Sequence, residues 1–280
     1  MARGKLPREM IPSFLYGTAW KEDRTEALVG EALAAGFRGI DTANQRKHYF
    51  EAAVGAALAR AFAAGRVQRE QLFLQTKFTF RDGQDQRLPY DPRAPIAEQV
   101  QQSFASSLEH LGVATLDSYV LHGPSQHDGL GAADHEAWRA MEALAEQGRV
   151  ALLGVSNVSA RQLAELLRFA QVAPRFVQNR CYASRGWDRT VRELCSRHGI
   201  IYQGFSLLTA NTHVLADARV RELSLRRGRT PAQLVFRFAQ QVGMLPITGT
   251  TRRMHMVEDL AIESFMLEAP ELALFESAGA

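Results

Sequence analysis

Eight short apolar segments alternate with amphipathic helical segments along the 280-residue chain, which predicts an α/β fold built as a (β/α)8 barrel. Eight strand–helix units suit a closed parallel barrel, which typically takes about 250 residues. An open doubly wound sheet would instead carry a G-x-G-x-x-G turn after its first strand, where this chain reads Gly17-Thr18-Ala19-Trp20. No linker-like segment divides the chain. Residues 1–280 are therefore predicted to form a single barrel domain, with its active site at the C-terminal face of the strands.

Each strand is predicted from a short apolar run, of which LFLQTKF is the clearest. The predicted strands are Ser13–Gly17, Gly39–Thr42, Leu72–Phe78, Ser118–His122, Ala151–Ser156, Phe176–Arg180, Ile201–Ser206 and Leu245–Gly249.

Each helix is predicted from apolar residues at helical spacing, and the first ends at Gly36, a residue that favours helix termination. A long polar loop, Arg81–Pro95, follows the third strand. The predicted helices are Arg24–Ala35, Glu51–Ala63, Pro95–Leu111, Asp134–Glu146, Ser159–Ala170, Asp188–Arg197, Ala218–Arg227, Thr230–Val242, His255–Ile262 and a short Pro270–Gly279.

Charge and hydropathy argue against several classes of protein. The 33 Lys and Arg residues exceed the 30 Asp and Glu residues only slightly, and without a dense patch, so no nucleic-acid partner is expected. No run approaches the roughly 18 apolar residues of a membrane helix. Met1–Met10 is polar and basic without an apolar segment behind it, so we expect no signal peptide and a cytoplasmic location. Cys181 and Cys195 suit neither a disulfide framework nor a metal site, and no metal is expected.

Polar residues stand at the predicted C-terminal ends of several strands. Each has an ordinary structural role when taken alone, such as a turn aspartate, a surface lysine or a hydrogen-bonded core histidine. Because all eight strands of a barrel end at one mouth, however, we expect these side chains to lie together. They are Asp41, Lys77, His122, Ser156, Asn157, Gln178 and Asn179.

Asp41 and Lys77 end adjacent predicted strands, where burial favours their pairing. A lysine placed beside a tyrosine favours the phenolate and so lowers the tyrosine pKa from its ordinary value of about 10. A tyrosine with a lowered pKa can donate a proton near neutral pH. The pattern therefore indicates proton-transfer chemistry at the mouth.

Five segments resemble the aldo-keto reductases in order and spacing, and the likeness extends over nearly the whole chain. They are GIDTA (Gly39–Ala43), LQTKF (Leu74–Phe78), YVLHGP (Tyr119–Pro124), GVSNVS (Gly154–Ser159) and VQNRCY (Val177–Tyr182). The resemblance implies reversible hydride transfer between a nicotinamide cofactor and the carbonyl of an aldehyde or ketone. It also implies a catalytic tetrad of Asp41, Tyr49, Lys77 and His122, in which the tyrosine is the proton donor and the histidine orients the carbonyl.

The same resemblance implies a cofactor site, with NADP(H) expected and NAD(H) as the alternative. Its residues would be Gly17, Thr18, Ser156, Asn157, Gln178, Phe205, Ser206, Leu208, Gly249, Thr250, Thr251, Arg252, Arg253, His255, Glu258 and Asp259. Aromatic residues near the strand ends are expected to contact the small carbonyl substrate, namely Trp20, Phe78 and Trp187. We expect a monomer or a weak homo-oligomer.

Two positions depart from the family's pattern. The family's tyrosine comes five residues after the aspartate, where this chain has Arg46, whereas Tyr49 comes eight residues after Asp41. Counting back from Val54-Gly55 places His48 at the ungapped tyrosine position, so His48 is the alternative acid. We prefer Tyr49, because the Lys77 cation disfavours a protonated imidazole.

The second departure concerns the arginine that grips the 2′-phosphate of NADP in the family. It aligns with His255, for which Arg252 or Arg253 could substitute. An alternative function is a cofactor-binding regulatory or scaffold protein with little turnover on the same barrel. The tetrad residues Asp41, Lys77 and His122 favour an enzyme over that alternative.

Overall fold

Eight parallel strands close into a barrel in the computed structural model, which describes residues 11–278. Each strand pairs with the next, and β8 pairs with β1, so the sheet has no free edge. The predicted (β/α)8 fold is confirmed. The strands are Leu15–Gly17 (β1), Gly39–Asp41 (β2), Phe73–Phe78 (β3), Leu116–Leu121 (β4), Val150–Ser156 (β5), Phe176–Arg180 (β6), Ile201–Phe205 (β7) and Met244–Thr248 (β8).

Helices surround this barrel, and each predicted helix is present with its ends shifted by no more than two residues. The N-terminal segment Met1–Met10 and Gly279, the predicted end of the last helix, lie outside the described residues. One further short α-helix within the described residues, α7, was not predicted. The helices are Thr25–Ala35 (α1), Glu51–Ala63 (α2), Ile96–Leu111 (α3), Ala132–Glu146 (α4), Ala160–Phe169 (α5), Arg189–Arg197 (α6), Thr212–Ala216 (α7), Ala218–Arg227 (α8), Pro231–Gln241 (α9), Arg253–Leu260 (α10) and Ala269–Ser277 (α11).

Strand β4 begins two residues before the predicted start at Ser118, because Asp117 belongs to the strand. An aspartate disfavours strand structure by propensity. Here its carboxylate accepts the backbone N–H of Leu74 in β3 at 2.8 Å and an N–H of Arg69 at 2.8 Å. These tertiary hydrogen bonds outweigh the local preference.

Alternation along the strands sorts the barrel interior into layers. A small apolar cluster that includes Phe73 and Phe176 fills one end of the barrel. Two residues further along each of those strands lie Gln75 and Gln178, which are buried polar residues of the next layer. Lys77 follows on the same face of β3. The side chains therefore change from apolar to polar toward the C-terminal ends of the strands, where the candidate site lies.

Candidate active site

Asp41 and Lys77 form a buried ion pair at the C-terminal ends of β2 and β3. Lys77 Nζ donates to Asp41 Oδ1 at 2.7 Å, to Asp41 Oδ2 at 2.8 Å and to the carbonyl oxygen of Thr42 at 2.8 Å. These three bonds use all three ammonium protons. Burial lowers the pKa of Lys77, and the charge of Asp41 partly opposes that shift.

Tyr49 lies against this pair, half-buried at the wall of a large cavity. Lys77 Nζ is 5.3 Å from the centroid of the Tyr49 ring, and the His122 ring meets it edge-on at 5.9 Å. No hydrogen bond joins the Tyr49 hydroxyl to Lys77 among the described residues, because the ammonium protons are engaged elsewhere. The pKa of Tyr49 is raised well above its usual value, first by burial and then by the charge of Asp41. This direction is opposite to the lowered Tyr49 pKa expected from the sequence.

His122 follows β4 directly and is held by the strand next to it. Its backbone N–H donates to the Phe78 carbonyl oxygen at 2.8 Å, and its ring Nδ1 lies 2.7 Å from the hydroxyl oxygen of Thr79. Burial, Lys77 and His48 lower the pKa of His122 to about 3. The imidazole is therefore neutral near pH 7.

The extra residues between Asp41 and Tyr49 form a helical turn. The backbone N–H groups of His48 and Tyr49 both donate to the Gln45 carbonyl oxygen, at 3.1 and 2.9 Å. Asn44 anchors the turn by donating its side-chain amide to the Ser103 carbonyl oxygen at 3.0 Å. This turn presents both His48 and Tyr49 to the cavity, and the aromatic ring of Trp20 stacks on His48 at 3.9 Å.

The large cavity has a volume of about 920 Å³ and opens at the C-terminal ends of the strands. Asp41, Tyr49 and His122 line it together with Trp20 and most of the expected cofactor residues. Those cofactor residues are Gly17, Ser156, Gln178, Phe205, Ser206, Leu208, Gly249, Thr250, Thr251, His255, Glu258 and Asp259. The structure thus gathers residues from most of the chain around one cavity.

Three of the expected site residues do not line this cavity. Phe78 is fully buried and packs on Phe80 and Tyr90, because Lys77, its neighbour in the strand, takes the inward face. Trp187 is also fully buried, and its indole N–H donates to the Phe275 carbonyl oxygen at 2.8 Å. Thr18 is buried with its hydroxyl on the Asp41 carbonyl oxygen.

Three more expected residues lie beside the large cavity. Asn157 lines a second cavity of about 470 Å³ and donates its side-chain amide to the His122 carbonyl oxygen at 2.8 Å. His122 and Gln45 line both cavities, so the two meet at the tetrad. Arg252 and Arg253 are exposed at the start of α10, directly after the cavity residue Thr251.

Two cations that were not predicted from the sequence also line the large cavity. Lys21 is buried, and its Nζ donates to the Gly249 carbonyl oxygen at 2.6 Å, joining the ends of β1 and β8. Burial lowers the pKa of Lys21 to about 8, and no carboxylate pairs with it within residues 11–278. Arg180 ends β6 and donates to the Ser206 hydroxyl oxygen at 3.2 Å. Its position at the C-terminal end of a predicted strand was the sequence feature that could have identified Arg180 as a site residue.

The chemistry of the lining suits a nicotinamide dinucleotide. Lys21 offers a buried positive charge to phosphate, and Gln178 lines the cavity with a side-chain oxygen that has no hydrogen-bond partner within residues 11–278. Asn157 and Ser206 have positive φ angles of 55° and 57°, a costly conformation for residues other than glycine that is frequent at functional sites. Each of them directly follows a strand that ends at the site.

Two negative findings concern residues 11–278. They contain no group of three His, Cys, Asp or Glu side chains placed to hold a metal ion. None of the helices in this range is both long and apolar enough to cross a bilayer.

Comparison with known proteins agrees with this architecture. Residues 15–280 match the sequence profile of the Aldo/keto reductase family. The chain is 31% identical over 258 residues to a methylglyoxal reductase of Salmonella typhimurium, covering 90% of this chain and 84% of that protein. It is 28% identical over 278 residues to a probable NAD(P)H-dependent D-xylose reductase of Emericella nidulans, covering 90% and 86% of the two chains.

A solved structure gives the same result in three dimensions. The crystal structure of an aldo/keto reductase from Brucella melitensis superposes with a TM-score of 0.81 at 26% identity, covering 96% of this chain and 95% of that one. The sequence profile, the reductase relatives and the shared barrel thus agree over nearly the full length. On these grounds the chain belongs to the aldo/keto reductase family.

Proposed function

We propose that the protein is an oxidoreductase that transfers a hydride between NADP(H) and the carbonyl of an aldehyde or ketone. The observation that carries this proposal is the meeting of Tyr49, His122 and the Lys77–Asp41 ion pair at one wall of the large cavity. When bound in the cavity, the nicotinamide supplies the hydride. The chain itself must position the carbonyl and deliver a proton to its oxygen.

Tyr49 is the proposed proton donor. The phenol carries its proton at neutral pH and can give it to a substrate oxygen, while its raised pKa makes it a weaker acid than a solvated phenol. The Lys77 ammonium at 5.3 Å from the ring stabilises the phenolate that forms on proton release. The reverse reaction, oxidation of an alcohol, needs the phenolate, and the raised pKa leaves little phenolate at neutral pH.

His122 is proposed to orient the carbonyl as a neutral hydrogen-bond donor. Its Nδ1 is engaged with Thr79, which leaves Nε2 for the substrate. For Nε2 to carry the proton, the Thr79 hydroxyl must donate to Nδ1. The low pKa of His122 keeps a second proton off the ring, so the imidazole does not compete with Tyr49 as the acid.

The proposed cofactor site follows the cavity lining. Ser156 and Gln178, with Asn157 behind them, would hold the nicotinamide carboxamide, and Phe205 would stack on the ring. Lys21 and the turn Gly249–Thr251 would bind the phosphates, because an anion stabilises a buried cation that has no carboxylate partner within the described residues. The residues proposed for the 2′-phosphate and the adenine are Arg252, Arg253, His255, Glu258 and Asp259.

The substrate is proposed to be a small polar carbonyl compound. The second cavity joins the tetrad at His122 and is lined by apolar side chains and by polar ones that include Thr79, Gln99 and Ser125. Trp20 and His48 stack on each other in the lining of the large cavity. The related proteins are named as reductases of methylglyoxal and D-xylose, which are compounds of this kind.

The deciding experiment measures NADPH consumption against a panel of small aldehydes, ketones and aldoses, with cofactor binding measured in parallel by calorimetry. Carbonyl-dependent oxidation of NADPH that is lost in Tyr49→Phe supports the proposal. Tight cofactor binding without turnover on any carbonyl would favour the regulatory alternative.

A further inference from the structure

We propose that Gln75 and Gln203 are positioning residues that hold the Gln178 amide so that only its oxygen faces the cofactor cavity. This inference rests on the proposed function, because it concerns how the nicotinamide carboxamide is recognised. None of the three glutamine side chains is more than 3% exposed, and each comes from a different strand of the barrel, β3, β7 and β6.

Gln75 and Gln203 bind each other through two hydrogen bonds across the barrel interior. Gln75 Nε2 donates to Gln203 Oε1 at 2.8 Å, and Gln203 Nε2 donates to Gln75 Oε1 at 3.0 Å. Gln178 joins this pair by donating its Nε2 to Gln203 Oε1 at 2.9 Å. All three amides are thus connected in one layer beneath the tetrad.

The charge of the Lys77–Asp41 pair decides the orientation of these amides. Asp41 Oδ1 accepts from Lys77 Nζ at 2.7 Å and has two glutamine side chains at 2.7 and 3.0 Å. An oxygen beside an ammonium is an acceptor only, so the atoms of Gln75 and Gln178 that face it must be their NH2 groups. The assignment of nitrogen and oxygen in both amides therefore follows from electrostatics.

The same charges determine the orientation of the third amide, that of Gln203, and leave Gln178 Oε1 as the remaining atom. Gln203 must turn its oxygen toward the two NH2 groups that point at it. Gln178 Nε2 then donates one hydrogen bond to Asp41 Oδ1 and the other to Gln203 Oε1. Its Oε1 has no hydrogen-bond partner within the described part of the chain, and Gln178 lines the cavity.

A site that offers a fixed acceptor selects a ligand group that donates. The carboxamide of nicotinamide has an NH2 group that can donate to Gln178 Oε1, whereas an acetyl group at the same ring position cannot. Leaving that acceptor unpaired costs about tenfold in affinity, the typical value of one hydrogen bond. Because a preorganised acceptor loses less entropy on binding than a mobile one, loosening Gln178 reduces this discrimination.

The test compares dissociation constants of NADP+ and its 3-acetylpyridine analogue by calorimetry, with the NAD+ pair in parallel. The unmutated protein is expected to bind NADP+ about tenfold tighter than the analogue. Gln178→Met lacks the acceptor, so this variant is expected to bind the two ligands with equal dissociation constants and serves as the reference for complete loss of discrimination. Gln203→Met and Gln75→Met are expected to lower the discrimination at least threefold.

Two further variants separate positioning from general damage to the fold. Gln203→Glu should keep the discrimination, because a buried, protonated carboxyl offers the same single acceptor and single donor to its neighbours. Gln162→Met, at a buried glutamine outside this network, should also keep it.

The outcomes distinguish this inference from the proposed function. Full discrimination in both Gln203→Met and Gln75→Met, or none in the unmutated protein, overturns the positioning role. If the discrimination behaves as expected but no carbonyl is reduced, the proposed function fails and the positioning role stands. If neither NADP+ nor NAD+ binds, both are wrong.

Discussion

The side-chain oxygen of Gln45 lies 2.9 Å from Nδ1 of His48 and determines which imidazole nitrogen carries the proton. The Gln45 amide cannot turn around, since its Nε2 donates to the Gly83 carbonyl oxygen at 2.6 Å. His48 Nδ1 must therefore be the donor, and in the neutral ring Nε2 holds a lone pair. Burial and Lys47 lower the pKa of His48, which further favours the neutral form. A neutral His48 with this tautomer accepts hydrogen bonds from the cavity side.

Tyr49→Phe is therefore expected to lower kcat for carbonyl reduction by about 100-fold to 10,000-fold, the usual contribution of a general acid. Cofactor binding should persist, because the ring still fills its place in the cavity wall. His48→Gln keeps an acceptor and should retain most of kcat. Steady-state kinetics with calorimetric binding of NADPH checks both variants. The opposite ranking of the two variants would assign the acid to His48.

Lys77→Met is expected to abolish most carbonyl reduction and to destabilise the fold. It leaves Asp41 as a buried carboxylate without its cation, which costs about 3–5 kcal/mol in a typical buried pair. Asp41→Asn should reduce activity less, because the lysine beside Tyr49 is retained. Without Asp41 the pKa of Lys77 falls further, since the carboxylate now opposes the shift due to burial. Activity of Asp41→Asn should accordingly decline as the pH is raised, measured as kcat from pH 6 to 9.

The barrel could be predicted from the sequence because it depends on short-range patterns, namely apolar runs and helical spacing. The ends of β2, β3 and β4 likewise pointed to Asp41, Lys77 and His122. Phe78 could have been excluded, since adjacent residues of a strand face opposite sides and Lys77 faces inward. Trp187 could not, because its burial depends on α11, which is distant in the chain.

The orientation of Tyr49 and the role of Lys21 also depend on tertiary contacts. The turn that carries Tyr49 is fixed through Asn44 by Ser103 of α3. Lys21 reaches the carbonyl of Gly249 across 228 residues of sequence. No local pattern encodes either contact, so the shift in the Tyr49 pKa could not be derived before the fold was known.

Arg252 and Arg253 are expected to set the preference for NADPH over NADH. Both side chains are exposed, and neither forms an ion pair with a carboxylate within residues 11–278. Replacing both by alanine should raise the Kd of NADPH about 10-fold to 100-fold, the value of one or two charge-assisted hydrogen bonds. The Kd of NADH should change little. Arg66→Ala, at an exposed arginine far along the chain, is the control, and equal weakening of both cofactors would contradict the assignment.

His122 is expected to make the fold sensitive to acid. Its folded pKa of about 3 lies below the ordinary value of about 6.5, so the unfolded chain binds a proton between these values that the folded chain does not. The contribution to stability is complete above about pH 6.5 and falls by about 1.4 kcal/mol per pH unit toward pH 3. Urea unfolding of the unmutated protein and His122→Gln measures the difference. A difference in unfolding free energy that is the same at pH 7 and pH 4 would contradict this account.

Asp259 should show the opposite pH dependence. It is buried at the cavity, its Oδ2 has no hydrogen-bond partner within the described residues, and burial raises its pKa to about 7. Between about pH 4 and pH 7 the folded chain holds a proton that the unfolded chain has released, so stability falls as the pH rises through this window. Asp259→Asn removes the charge, so the variant should be more stable than the unmutated protein at pH 8, with an advantage that shrinks toward pH 4.

Asp134→Asn is the matched control. Both Asp134 side-chain oxygens accept hydrogen bonds, from the Ser125 N–H at 2.6 Å and the Gly131 N–H at 2.7 Å, so loss of this carboxylate should destabilise the fold. Destabilisation at pH 8 by Asp259→Asn would show that the Asp259 carboxylate is well accommodated in its buried site, and stabilisation by Asp134→Asn would show that the gain is not specific to Asp259.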